Sequence, residues 1–225
     1  MFGLNAFVSA KSLEQAYELL MEDKNNTILG GLLWMKMGKK QYNTGIDLSG
    51  LGLDRIVETG DMIELGCMTT LRQMETSELL INWYGPLFKQ AFKYIVGVQF
   101  RNCATLGGSI YPRFGFSDVV TALLLLDAKV ELFNAGVVSL SSFLEMSSKR
   151  DILVRVLIEK KKWESIYLCQ RKNATDLPVV SVAVGRSGKD WRITSGARPS
   201  RPRQAEQTAA VLSRDPDSEQ IEQAA

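Results

Sequence analysis

Two glycine pairs constrain this chain more than any other feature. Gly30-Gly31 ends the apolar segment Thr27-Ile28-Leu29, and Gly107-Gly108 closes the stretch Gln99-Phe100-Arg101-Asn102-Cys103-Ala104-Thr105-Leu106. Around the second pair, an apolar-alternating segment is expected to run into a Thr105-Leu106-Gly107-Gly108 turn. It then continues through Ser109 and Ile110 to Asp118, ahead of an apolar helix. Adjacent glycines remove two Cβ atoms, which allows φ > 0 and lets a ligand lie close to the backbone N–H groups. A run of free N–H donors in a turn forms a concavity suited to phosphate. A Gly-Gly pair alone signals only a turn, so its meaning depends on what surrounds it.

The order of apolar segments supplies that context. Ala6–Ser9 reads as a strand, Ser12 as the cap of a helix through Leu20, Thr27–Leu29 as a strand, Leu32–Lys40 as a helical turn and Gly45–Leu48 as a third strand. This β-α-β-α-β order predicts a small parallel sheet. It puts Gly30-Gly31 at the carboxyl end of a strand, where ligands of α/β sheets bind. From Asp54 the period becomes two, and Thr59-Gly60-Asp61 predicts a hairpin. Helices are expected after Thr69 or Thr70, over Leu87–Ile95 and over Val119–Leu126, the last with Asp118 as a candidate N-cap. Lys129–Phe133 and Val137–Leu140 read as strands, Ser141 or Ser142 as the cap of a turn through Met146, and Ile152–Ile158 as a strand. Lys160-Lys161-Lys162 reads as a solvated connector. Beyond it, Ser165–Cys169, Val179–Val184 and Trp191–Ser195 predict three antiparallel strands that end at Arg198–Arg203, followed by two helical segments.

Composition excludes several kinds of chemistry. The 225 residues contain no histidine, which removes Ser-His-Asp and Cys-His catalysis and His-ligated metals. Cys67, Cys103 and Cys169 form no C-x-x-C pair, so an iron–sulfur cluster or thiolate zinc site is not expected; all three are expected to be buried and reduced. A formal charge of +2, from 27 basic and 25 acidic residues, asks for neither nucleic acid nor an anionic membrane. The longest apolar run, Val119–Leu126, is about two helical turns, far short of a membrane span. With no secretory signal pattern in Met1–Ala10, a cytoplasmic location is the expectation.

Gly30-Gly31, Ile46-Asp47-Leu48, Ile63-Glu64-Leu65-Gly66-Cys67-Met68-Thr69-Thr70-Leu71, Arg101–Gly108, Ser117-Asp118 and Leu126-Asp127-Ala128 together resemble the FAD-binding subunit of molybdenum hydroxylases. That family includes the flavin domain of xanthine dehydrogenase and the medium subunit of carbon monoxide dehydrogenase. Asp176–Ala183 and Arg198–Glu206 resemble its smaller C-terminal domain. The resemblance implies an α+β fold with a two-subdomain, PCMH-like FAD-binding domain over residues 1–160. A small parallel β-α-β unit (about 1–53) would precede a larger mixed α/β sheet (54–160), and a shortened α+β domain would occupy 161–225.

It further implies that FAD is held by a first loop (Leu29, Gly30, Gly31, Leu32, Leu33, Trp34), by a second loop (Ala104, Thr105, Gly107, Gly108, Ser109), by Ile95 and by Asp118. The chain would pass electrons from a molybdenum-cofactor subunit and a 2Fe-2S subunit to NAD or another acceptor, with substrate oxidation occurring elsewhere. Leu32 and Leu33 stand where the family carries Thr and an acidic residue, and Ser109 where it carries Asn. On side chains alone, the second loop therefore takes the larger share of the expected contact. By residue type, Trp34, Met35 and Met37 are expected in a core or interface rather than against a cofactor. A scaffold that keeps the fold without FAD is the alternative reading, and a stand-alone flavin oxidoreductase a third.

Overall fold

The structure, a computed structural model, describes residues 2–147, 150–197, 201–214 and 218–224. Its first layer is built from β1 (Gly3–Ser9), α1 (Leu13–Glu22), β2 (Thr27–Leu29), α2 (Leu33–Met37) and β3 (Gln41–Asp47). The three strands pair in parallel in the order β1-β3-β2, with Ala6 opposite Thr44 and Leu29 opposite Asp47. Ser12 caps α1 by accepting from the Gln15 N–H, and Ala16 and Leu20 are its buried positions. Arg150 donates to the carbonyls of Asp23 (3.1 Å) and Asn26 (2.8 Å), tying the turn before β2 to a segment over a hundred positions later.

A hairpin of β4 (Ile56–Thr59) and β5 (Met62–Gly66) opens the second layer, with Gly60 at φ +58° in its turn. Then follow α3 (Leu71–Thr76), α4 (Glu78–Tyr84), α5 (Leu87–Phe92), α6 (Val98–Cys103), α7 (Leu106–Ile110) and α8 (Asp118–Leu125). β6 (Lys129–Leu132), β7 (Gly136–Ser139), α9 (Leu140–Glu145) and β8 (Leu153–Glu159) complete it. The five strands run β4-β5-β8-β6-β7, and every neighbouring pair is antiparallel. Thr70 provides the α3 cap, in a capping box with Gln73. Ser139, not Ser141 or Ser142, caps α9, because the strand ends earlier than its apolar residues suggest. α4 is an addition to the expected elements: only Leu80 and Tyr84 of its seven residues are buried, too few for a visible stripe.

α8 is buried along its whole length, as a helix that is apolar on all sides must be. The third layer packs on it: β9 (Glu164–Gln170), β10 (Val180–Ser187), β11 (Asp190–Gly196) and the short β12 (Arg203–Gln204), antiparallel in the order β12-β11-β10-β9. One two-residue strand is thus added to the three expected. α10 (Glu206–Leu212) and α11 (Ser218–Ala224) follow; Arg198, Pro199 and Ser200, expected to end this sheet, lie outside the described residues. Lys160 and Lys162 lie over the Trp83 ring and Lys161 over Trp163, so the basic connector is stacked on tryptophan and not merely solvated.

The cysteine expectation needs correction. Cys67 is buried and desolvation pushes its thiol up to about 12. Cys169 is half-buried beneath the Arg171 guanidinium, at 3.2 Å. Cys103 is exposed, because α6 turns only Arg101 fully inward and Cys103 lies off that face. Native-state alkylation followed by mass spectrometry should therefore label Cys103 first and Cys67 only on unfolding.

The close seat of the third layer on α8 requires glycine. A Cβ on Gly196 would fall inside contact distance of Thr121 Oγ1 and at 2.7 Å from Ser181 Oγ. Gly196→Ala should cost about 2 kcal/mol by overpacking, measured by urea unfolding.

Candidate functional site

The first loop leaves β2 at Leu29. Neither Gly30 nor Gly31 adopts a positive φ; the left-handed residue is Leu32, at φ +63°. That conformation costs a side-chain-bearing residue about 1–2 kcal/mol. The glycines serve close approach instead. A Cβ on Gly31 would lie far inside contact distance of the Cys103 carbonyl oxygen, and one on Gly30 would sit 2.8 Å from Thr105 Oγ1. The two loops expected to hold the cofactor are thus packed directly on each other. Leu32 is the N-cap of α2 and provides no side-chain cap. Within the described residues, no hydrogen bond uses the N–H groups of Gly31, Leu32, Leu33 or Trp34.

The second loop differs from its expectation. Gln99–Cys103 is not an alternating segment but part of α6, and Gly107-Gly108 is not a free turn but the first turn of α7. Its donors are occupied: Leu106 N–H by Thr69 O (2.8 Å), Gly107 N–H by Cys67 O (2.7 Å), Gly108 N–H by the capping Thr105 Oγ1 (3.2 Å) and Ser109 N–H by Thr105 O (3.1 Å). Ser109 Oγ also donates to Thr105 O. Gly107 is needed because its missing Cβ would lie 3.0 Å from Cys67 O. A period-two reading missed the helix because two glycines and a threonine cap interrupt its stripe. The open backbone donors lie on the first loop.

Both loops border a cavity of about 820 Å3, in the upper part of the roughly 300–1,000 Å3 range of small-molecule and cofactor sites. Leu29, Gly30, Gly31, Leu32, Leu33, Trp34, Ile95, Ala104, Thr105, Gly107, Gly108, Ser109 and Asp118 all line it. Phe100, Tyr94, Val96, Leu153 and Leu177 add apolar wall that sequence reasoning did not single out. Trp34 is 42% exposed, not core; its ring lies 5.4 Å from Phe114 and 5.8 Å from Phe116, which stack on each other at 5.0 Å. Arg113 turns away, donating to Met146 O and lying 4.3 Å from the Phe143 ring.

Asp118 is the first residue of α8; the cap is Ser117, whose Oγ accepts from Val120 N–H. Its carboxylate takes both contacts of Arg171 Nη2 (2.8 and 2.7 Å) and the Tyr167 hydroxyl (2.6 Å). Burial raises the Asp118 pKa, with Tyr167 and Arg171 acting against that rise. Tyr167 and Arg171 belong to β9 and the loop after it; only the fold brings them to Asp118.

A second buried pair stands behind the wall. Arg101 binds Glu75 through Nε (3.0 Å) and Nη2 (3.2 Å), and Arg72 adds a contact to Glu75 at 2.9 Å. Among the described residues, no group of three or more His, Cys, Asp or Glu is placed to hold a metal, and no helix is long and apolar enough to cross a membrane.

A glycine loop at the end of a parallel strand, packed on a second glycine-bearing segment across an apolar cavity, defines an α+β cofactor-binding protein. The chain belongs to the family described as the FAD binding domain in molybdopterin dehydrogenase, whose match covers residues 2–160. It is 32% identical over 131 residues to the nicotine 6-hydroxylase medium subunit of Paenarthrobacter nicotinovorans, covering 56% of this chain and 46% of that protein. It is 28% identical over 139 residues to the xanthine dehydrogenase FAD-binding subunit of Escherichia coli O157:H7, covering 59% and 47%. The chain thus spans about half the length of these curated relatives. In fold it matches a chain of reconstituted CO dehydrogenase from Oligotropha carboxidovorans, with TM-score 0.85, 21% identity and coverage of 98% and 84%. FAD is the cofactor of this family, and the site's chemistry fits it: unpaired N–H donors suit a diphosphate and an apolar wall suits fused rings.

Burial alone would raise the Glu75 carboxyl, but the Arg72 and Arg101 guanidiniums outweigh it and hold it below the usual carboxylate range. A depressed pKa gives stability that is complete above the unfolded value of about 4.3 and drains as pH falls through the folded one. Urea unfolding across this range should show Glu75→Gln losing stability less steeply with acid than the parent chain.

Proposed function

We propose that this chain is the FAD-carrying electron-transfer subunit of a molybdenum-hydroxylase-like oxidoreductase. It receives electrons from a 2Fe-2S subunit, itself reduced by a molybdenum-cofactor subunit, and passes them to NAD or another acceptor. The observation that carries this reading is the run of open N–H donors from Gly31 to Trp34 facing a cavity lined by all the expected contact residues. Relatives named as medium or FAD-binding subunits support the partnership. In this reading residues 1–160 bind the cofactor, residues 161–225 close its far side, and the assembly is cytoplasmic.

Bound FAD supplies a carrier that takes up and releases one or two electrons. The chain's own residues do the rest. The first loop's N–H groups hold the diphosphate, standing in for the side-chain hydrogen bonds that Leu32 and Leu33 do not make. Leu29, Ile95 and the Trp34–Phe114–Phe116 cluster exclude water. Gly108 leaves space at the cavity surface, where a Cβ would meet only Thr105 Oγ1, at 3.0 Å.

Purified protein should show flavin absorbance and release FAD on denaturation. A chain that is colourless and stays so with added FAD would overturn this reading in favour of a scaffold. Gly108→Val should weaken FAD binding roughly tenfold, equivalent to about 1.4 kcal/mol; an unchanged Kd in a folded variant removes α7 from the site.

A further inference from the structure

α6 turns one residue fully inward, and it is an arginine, 5% exposed. A buried guanidinium needs a carboxylate and further acceptors. Glu75 supplies the first, in a bidentate pair. A further acceptor lies on a short turn at the cavity wall: Arg101 Nη1 donates to Ile95 O (3.2 Å). The carbonyl on the other side of Val96, Gly97 O, is held by the first backbone bond of α6, from the Arg101 N–H (3.0 Å), which does not depend on the side chain. The guanidinium therefore holds the carbonyl that precedes Val96.

Val96 is the residue there that needs holding. It sits at φ +50°, a region β-branched side chains avoid. Its side chain is 52% exposed, so burial does not compensate. Both Ile95 and Val96 line the cavity. A strained, exposed residue persists only where its surroundings over-determine it.

We propose that Arg101 is a positioning residue for the cofactor cavity, using its pair with Glu75 to clamp the Ile95 carbonyl and so hold Val96 in the left-handed region at the cavity wall. Arg101 touches no ligand; it acts through Ile95. The functional readout rests on FAD being the ligand, while the clamp itself can be read without FAD.

The test combines two substitutions in the full chain. Arg101→Lys keeps a charge but loses the fork that reaches Glu75 and Ile95 together. Asn tolerates a positive φ far better than Val, so Val96→Asn should keep the turn in place without the clamp. FAD affinity is measured by fluorescence titration, and the backbone conformation of residue 96 by chemical shifts in FAD-free protein. Arg101→Lys should raise the FAD Kd about tenfold, the size of one lost charged hydrogen bond, and release residue 96 from the left-handed region. Adding Val96→Asn should return the Kd to within about threefold of the parent and restore the left-handed shifts.

Wild-type affinity in Arg101→Lys, or an affinity loss that Val96→Asn does not rescue, overturns the proposal and leaves the pair a general stabiliser. Should Arg101→Lys fail to fold, Glu75→Asp withdraws the carboxylate from the guanidinium by one methylene and is judged by the same rescue. If the parent chain binds no FAD, the functional reading fails, and the residue 96 shifts alone decide the clamp.

Discussion

The site depends on one contact: Gly31 against the carbonyl of Cys103. The first loop belongs to a parallel sheet and the second to a helical segment of an antiparallel layer, and among the described residues no strand pairing joins the two sheets. They meet because a backbone without a side chain can lie directly on another backbone. Thr105 serves the same contact from the other side, capping α7 while its hydroxyl faces Gly30. These glycines are fixed by chain-to-chain approach, and the cavity is what that approach leaves between the layers.

α8 plays the corresponding role on the far side. It is packed by helices of the second layer and, through Thr121, by the third sheet, where Thr194 Oγ1 donates to Thr121 O at 2.9 Å. Its first turn presents Asp118 to the cavity, where Arg171 from the third layer neutralises it and the Tyr167 hydroxyl donates to it. The pair is worth most as a linkage: breaking a buried ion pair by removing one partner costs about 3–5 kcal/mol. The same residues therefore form the cavity wall and join the second layer to the third.

Much of this was legible in the sequence. The parallel unit, the hairpin at Gly60 and the third-layer strands follow from period and turn residues, and ordered motifs point to the family. The second loop was misread because α7 is five residues long and contains two glycines, so neither length nor periodicity marks it as a helix. The exposure of Cys103 and the positive φ at Leu32 and Val96 depend on how separate segments pack. The side-chain comparison favoured the second loop, whereas the backbone places the open donors on the first. Side chains are visible in a sequence; the occupancy of N–H groups is not.

The pairing of Asp118 has a consequence in time. Its partners lie 49 and 53 positions further along the chain, and the brace on the β2 turn comes from Arg150. A chain emerging from the ribosome folds from its amino end. The glycine loops are complete once Ser109 has been made, yet the carboxylate beside them lacks its counter-charge until β9 and the residue that follows it have been made. Closure of this wall of the cavity thus waits for Arg171, and a chain terminated before it carries both loops with Asp118 unpaired.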